Sequence, residues 1–180
     1  MTKTRVFGVL LTAVIAIFLV SYTLGRALYA GQSPGITSFA LVHFAGYLFF
    51  LLMPVEALVP IYQGEGHAAL TLVFVAVATA LAAQVIDYSI GRAVKEGSLH
   101  KVIGEKRYAR FKGNIDRWGG WAILLFNLMP LSSPNMLLVA GMTRYSARRA
   151  FLFSSIGLTG KYLAIVYAYG PVSSWLSTAS

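Results

Sequence analysis

No cysteine occurs among the 180 residues. Disulfides, thiolate metal sites and cysteine nucleophiles are therefore excluded, although the compartment stays open. Acids are almost as scarce, with six Asp and Glu against fifteen Lys and Arg and a net charge of +9. Charged residues make up only 12% of the chain, about half the roughly 25% of an ordinary soluble domain. Histidines 43, 67 and 100 are scattered without the spacing of a ligand set. Neither a nucleophile elbow nor a phosphate-cradling glycine loop occurs. An enzyme is not expected, nor any cofactor. The chain is 57% hydrophobic with a mean hydropathy of +0.69, which points to a polytopic membrane protein. Its basic excess then sets topology and meets anionic headgroups, and no nucleic-acid partner is expected.

The informative stretch is 122–141, AILLFNLMPLSSPNMLLVAG. A plain spanning helix needs about 20 unbroken apolar residues. Here Pro130 and Pro134 interrupt the run, with Asn127, Ser132, Ser133 and Asn135 around the break. Irregular backbone at membrane depth survives only where protein or water satisfies it, so this turn is expected to line a cavity. A similar interruption lies at 47–60, YLFFLLMPVEALVP, with Glu56 between Pro54 and Pro60. Two short, proline-broken segments at corresponding places point to an inverted-repeat transporter with its site at the breaks. The halves also share short strings: LLMP (51–54) leads to YSIG (88–91), and NLMP (127–130) leads to YAYG (167–170).

The expected fold is an all-α membrane protein, an inverted repeat of two re-entrant helical hairpins plus spanning helices. Residues 1–30 read as a retained N-terminal transmembrane helix with a cytoplasmic N-terminus, and 31–180 as the membrane domain. Within it, 37–66 is re-entrant, 68–92 spans, 92–117 is a solvated cytoplasmic linker, 118–143 is re-entrant and 150–170 spans. Charge tests this arrangement. With both hairpins returning to their own side, thirteen of the fifteen basic residues fall inside, leaving Arg26 outside and Lys161 in the membrane. If the first broken segment crossed instead, the eight basic residues of 92–117 would move outside, against the positive-inside rule.

Several residues stand out as candidates for function. Glu56, a carboxylate within an apolar run, is costly if buried bare and should face protein or water. Lys161 lies near the middle of the last apolar helix, too deep to reach the interface easily. With Ser154, Gly157, Ala164 and Ala168 it forms a small-residue face suited to close packing. Its ammonium wants a partner, and Glu56 and Asp87 are the deep acids available. Asp87 shares a face with Ala76, Ala80, Ala83 and Gly91 about a turn before Arg92, where a structural role is as fitting as a functional one. The neutral groups Asn127, Ser132, Ser133 and Asn135 could hold a headgroup or cap the half-helices, Ser133 before Pro134 being the simplest cap. His43, in an aromatic run, reads as a satisfied core histidine.

These residues carry a resemblance. DYSIGR (87–92), the basic stretch, GGWAILLFNLMP (119–130), AGMTRYSARRAF (140–151) and a final helix resemble the DedA/VTT (SNARE-associated) superfamily over roughly 40–170. Pro130 to Gly141 and Tyr88-x-x-Gly91-Arg92 have the family's spacing, and Pro54-x-Glu56 resembles its first re-entrant motif. The resemblance implies two hairpins entering from opposite faces and movement of lipid, including polyprenyl-phosphate carriers. A prokaryotic plasma membrane is the setting it suggests. This chain departs where the family leads one to expect arginines, at Asn127 and Ser133. It departs again at Gln84 for an aspartate and at Lys161 for a tryptophan. Glu56 thereby loses its usual basic partners, and Lys161 is the residue placed to replace them. The leading expectation is a flippase- or scramblase-like lipid transporter whose partners are membrane lipids with anionic headgroups. A proton-coupled small-solute or ion transporter and a non-transporting assembly partner are the alternatives. A homo-oligomer is compatible with the small-residue faces.

Overall fold

The computed structural model describes residues 35–48, 55–93, 105–129 and 135–179. The N-terminal helix expected over 1–30 lies outside these residues. So do Pro54, Pro130, Ser132, Ser133 and Pro134 at the two breaks. Every regular element described is helical: α1 (Ile36–Leu48), a 3-10 turn (Val55–Ala57), α2 (Leu58–Gly64), α3 (Ala69–Ala93), α4 (Glu105–Trp118), α5 (Gly120–Leu128), α6 (Asn135–Met142) and α7 (Ala147–Ala179). Two are long and apolar enough to cross a membrane, α3 over its 25 residues and α7 over Ala147–Tyr169. Away from the arginines at one end, they expose large apolar side chains, including Phe74 on α3 and Leu152 and Ile156 on α7, as expected of helices facing lipid tails.

The contacts fix the directions of these helices. Ser38 near the start of α1 bonds to Tyr62 near the end of α2, at 2.9 Å between hydroxyls. Gly46, near the end of α1, lies against Val55, where a Cβ would fall 2.3 Å from Cγ1. Early residues thus pair with late ones, so α1 and the segment leading into α2 run antiparallel. Along a straight helix Ser38 and Tyr62 would lie roughly 36 Å apart at 1.5 Å per residue. The flanks of the second break also return to each other: a Cβ on Gly119 would sit 3.4 Å from the Tyr145 hydroxyl. Pro60 falls inside the first turn of α2, where the missing N–H is tolerated.

Both returning arms end in the same turn. In α2, His67 N–H bonds to Tyr62 C=O and Gly66 N–H to Gln63 C=O, with Gly66 at φ 89. In α6, Tyr145 N–H bonds to Ala140 C=O and Arg144 N–H to Gly141 C=O, with Arg144 at φ 55. Each is a Schellman closure, with the left-handed residue just past the helix. Each leads directly into a long helix, α3 or α7.

Close approaches hold the bundle together, as expected where lipid removes the hydrophobic drive and packing must serve instead. The tightest is the crossing of α3 and α6. A Cβ on Gly91 would meet Leu138 O at 2.0 Å, and one on Gly141 would meet Tyr88 O at 2.2 Å. The two helices therefore touch backbone to backbone. Along α5 and α7, Gly120 meets Phe153, Leu124 meets Gly157 and Leu128 meets Gly160. The near-constant offset makes these helices parallel.

Two stretches differ from the sequence expectation. The linker over 92–117 contains α4, which docks through Tyr108, Phe111 and Ile115, all buried, against the second pair of arms. Phe111 and Phe126 meet edge to face at 5.5 Å. The spacing of three and four puts these apolar residues on one side, so only the other side is solvated. The last helix continues through Pro171 to Ala179, because one proline removes a single ladder bond and the following residues can keep the helix. Its small-residue face is also shorter than expected. Ser154 and Gly157 are buried, but Ala164 and Ala168 are exposed, since the buried stripe drifts to Tyr162 and Val166.

Gly91→Ala should destabilise the protein by about 1–3 kcal/mol through overpacking, read as a lower unfolding temperature in detergent. Gly113→Ala, in the open on α4, should be neutral or gain up to about 1 kcal/mol.

Candidate functional site

Lys161 lies on α7 with its side chain only 1% exposed, and its Nζ donates to Glu56 Oε1 at 2.9 Å. Glu56 sits in the 3-10 turn just after the first break and keeps 13% of its side chain exposed. Of the two acids open to Lys161, the geometry selects Glu56. Two aromatic faces also border the cation, Tyr162 at 4.9 Å and Tyr47 at 5.4 Å from ring centroid to Nζ. A desolvated ammonium between ring faces gains from their quadrupoles.

Residues from both breaks converge on one turn of α7. Gly157 packs against Leu124 O and Asn127 Cβ, and Gly160 against Leu128, at the end of the arm that precedes the second break. Lys161, the next residue, holds Glu56 from the arm that follows the first. From there α2 runs alongside α7 in the same direction, Gln63 bonding to Val166 O at 3.5 Å and Gly64 lying against Tyr169. So α5 approaches this turn from the N-terminal end of α7, and α2 leaves it toward the C-terminal end.

Two neutral polar clusters flank the ion pair. In one, Thr79 Oγ1 donates to Val75 O at 2.7 Å, so its oxygen accepts from His43 Nδ1 at 2.8 Å. His43 Nε2 is hydrogen-bonded to the Tyr162 hydroxyl at 2.7 Å. The imidazole thus links α1, α3 and α7. In the other cluster, Ser154 Oγ donates to Gln84 Oε1. Gln84 Nε2 donates to Asn127 Oδ1 at 2.7 Å, and Asn127 Nδ2 to Ile123 O at 2.9 Å. Gln84 and Asn127 are two of the positions at which the family resemblance leads one to expect charges. Here they face each other as a neutral amide pair.

The remaining candidates lie apart from the ion pair or beyond description. Asp87 Oδ2 is buried with no hydrogen-bond partner among the described residues. Arg92 donates to the Tyr88 hydroxyl at 3.2 Å, and Tyr88 donates to Tyr145 O at 2.6 Å. Gly141 belongs to the helix crossing. Asn135 opens α6. The sequence reading passed over Tyr47, Thr79, Gln84 as a bonded group, Ser154 as a donor and Tyr162. One signal was available: His43 and Tyr47 are four residues apart on α1, and Tyr162 adjoins Lys161.

Removing one member of a buried ion pair typically costs roughly 3–5 kcal/mol. Glu56→Gln should approach that cost, because it strands a buried ammonium. Lys161→Met should cost less, because the carboxylate left behind is partly exposed. The double variant should lose less than the sum. Unfolding temperatures of the four proteins in one detergent would show this, and equal, additive losses would mean the two charges are uncoupled.

A search of curated proteins and a search of solved structures each returned no match. A family model does match: the VTT domain, over residues 34–169. That match covers more than half of the chain and takes in the ion pair, both polar clusters and the α3–α6 crossing. The chain therefore belongs to the VTT domain family, the domain of the DedA/SNARE-associated membrane proteins.

Proposed function

We propose that this membrane protein moves lipid or lipid-phosphate headgroups across the bilayer, as a flippase or scramblase and not as an enzyme. In this reading the two broken segments are re-entrant hairpins of an inverted repeat, dipping in from opposite faces. Headgroups pass between their tips while acyl tails stay in the bilayer. Glu56, Lys161 and Asn127 line the path, together with Ser132, Ser133 and Asn135 at the second break. The setting is a prokaryotic plasma membrane, with the N-terminus cytoplasmic and several crossings.

One observation carries the reading. The flanks of both breaks reach the same turn of α7, where a buried ammonium meets a carboxylate that is still partly accessible. Buried ionisable residues in a membrane domain are costly and mark pathways by default. Lys161 offers a cation that a phosphate could share with Glu56. The shared turn at the ends of α2 and α6 and the opposed directions of α1 and α5 support the repeat. The basic residues at one end support the orientation.

The test is exchange of headgroup-labelled lipid in reconstituted vesicles. Glu56→Gln and Lys161→Met should each slow exchange about tenfold or more, the effect of roughly 1.4 kcal/mol on the barrier. Full exchange in both folded variants would remove the ion pair from the path. Topology is checked separately in the thiol-free background. Glu65→Cys should label from outside and Ser146→Cys from the cytoplasmic side, and labelling of both from one side would sink the opposed arrangement.

A further inference from the structure

Tyr145 is a meeting point for three parts of the chain. Its carbonyl accepts the Tyr88 hydroxyl of α3, which in turn accepts from Arg92. Its ring reaches Gly119, between α4 and α5. Tyr145 itself stands in the turn from α6 into α7. Around this point Arg92, Arg117, Arg144, Arg148 and Arg149 are all exposed. The outward side of α4 adds Lys106 and Arg110, with Glu105 and Asp116 as its exposed acids. At the other end of α3, the described turn after α2 exposes Glu65 and holds neither lysine nor arginine.

Two further observations narrow what this surface meets. Trp118 is 54% and Trp121 61% exposed beside the cations, and the Arg117 guanidinium lies 5.5 Å from the Trp118 ring centroid. Exposed tryptophans next to arginines are the pattern of a membrane–water boundary. A soluble acidic partner gives no reason for large apolar rings at the same level. Arg144 also holds a backbone at φ 55 that favours glycine, and the corresponding turn after α2 uses Gly66. An arginine at this position bears backbone strain, which fits a role for its side chain.

We propose that the arginines around Tyr145, with the outer side of α4, form a docking surface for the headgroups of anionic phospholipids in the leaflet they face. Each cation near such a surface adds attraction that fades within a Debye length. The surface is tied to the second break, because α4 grips the flanking arms through Tyr108, Phe111 and Ile115. Docked lipid therefore holds the second pair of arms in place, whatever the arms transport.

The test is tryptophan quenching in vesicles containing brominated phosphatidylglycerol or brominated phosphatidylcholine at equal mole fraction. Trp175→Phe leaves only Trp118 and Trp121 as reporters. Brominated phosphatidylglycerol should quench about twofold more strongly, in line with the attraction of several cations at an anionic surface. The preference should vanish at about 0.5 M salt, where the Debye length shrinks to roughly 4 Å. It should also vanish with Arg144, Arg148 and Arg149 each changed to Gln. If that variant does not fold, the salt arm decides alone. Equal quenching by both lipids at low salt, or a preference that survives high salt, overturns the proposal and leaves the cations to a soluble acidic partner.

Discussion

A single ammonium buried at the middle of an apolar helix constrains most of what surrounds it. The Lys161 side chain is only 1% exposed, so a carboxylate must come to it, and Glu56 does. That requirement brings the segment after the first break against α7 and sets α2 alongside. Tyr47 and Tyr162 present ring faces to the cation. The polar clusters on either side obey the same rule in weaker form. With no solvent in the interior, the polar groups of these clusters bond to one another, and the His43–Tyr162 and Gln84–Asn127 bonds run between helices far apart in sequence.

The amide pair of Gln84 and Asn127 shows how two polar side chains are accommodated in the apolar interior. The resemblance leads one to expect an acid and a base at those positions, which here are directly bonded. Two neutral groups that satisfy each other avoid the desolvation of two ions. The buried cation sits instead on α7, against the carboxylate of the first break.

Much of this was legible in the sequence, and the failures have physical causes. Prolines 54 and 130 stand next to the ends of described segments, Val55 and Met129, because proline, unlike composition, acts on the backbone locally. Lys161 announced itself by depth, and the scarcity of acids left only two partners to choose between. The helix over Glu105–Trp118 was hidden because Tyr108, Phe111 and Ile115 are three apolar residues among many cations. Average polarity obscured a pattern that spacing carries. The clusters of His43 and Gln84 were beyond reach, since their partners lie up to 119 residues away and nothing local distinguishes a bonded threonine from an idle one. On α7, small residues alone could not say where the buried stripe would drift.

The meeting of α3 and α6 at Gly91 and Gly141 has a mechanical consequence. Carbonyl rests directly against Cα there, so the joint contains no rotamer that could change and no side chain that could swing aside. It behaves as a weld. Any rearrangement of the bundle must therefore take place away from this crossing, where side chains and not backbones meet.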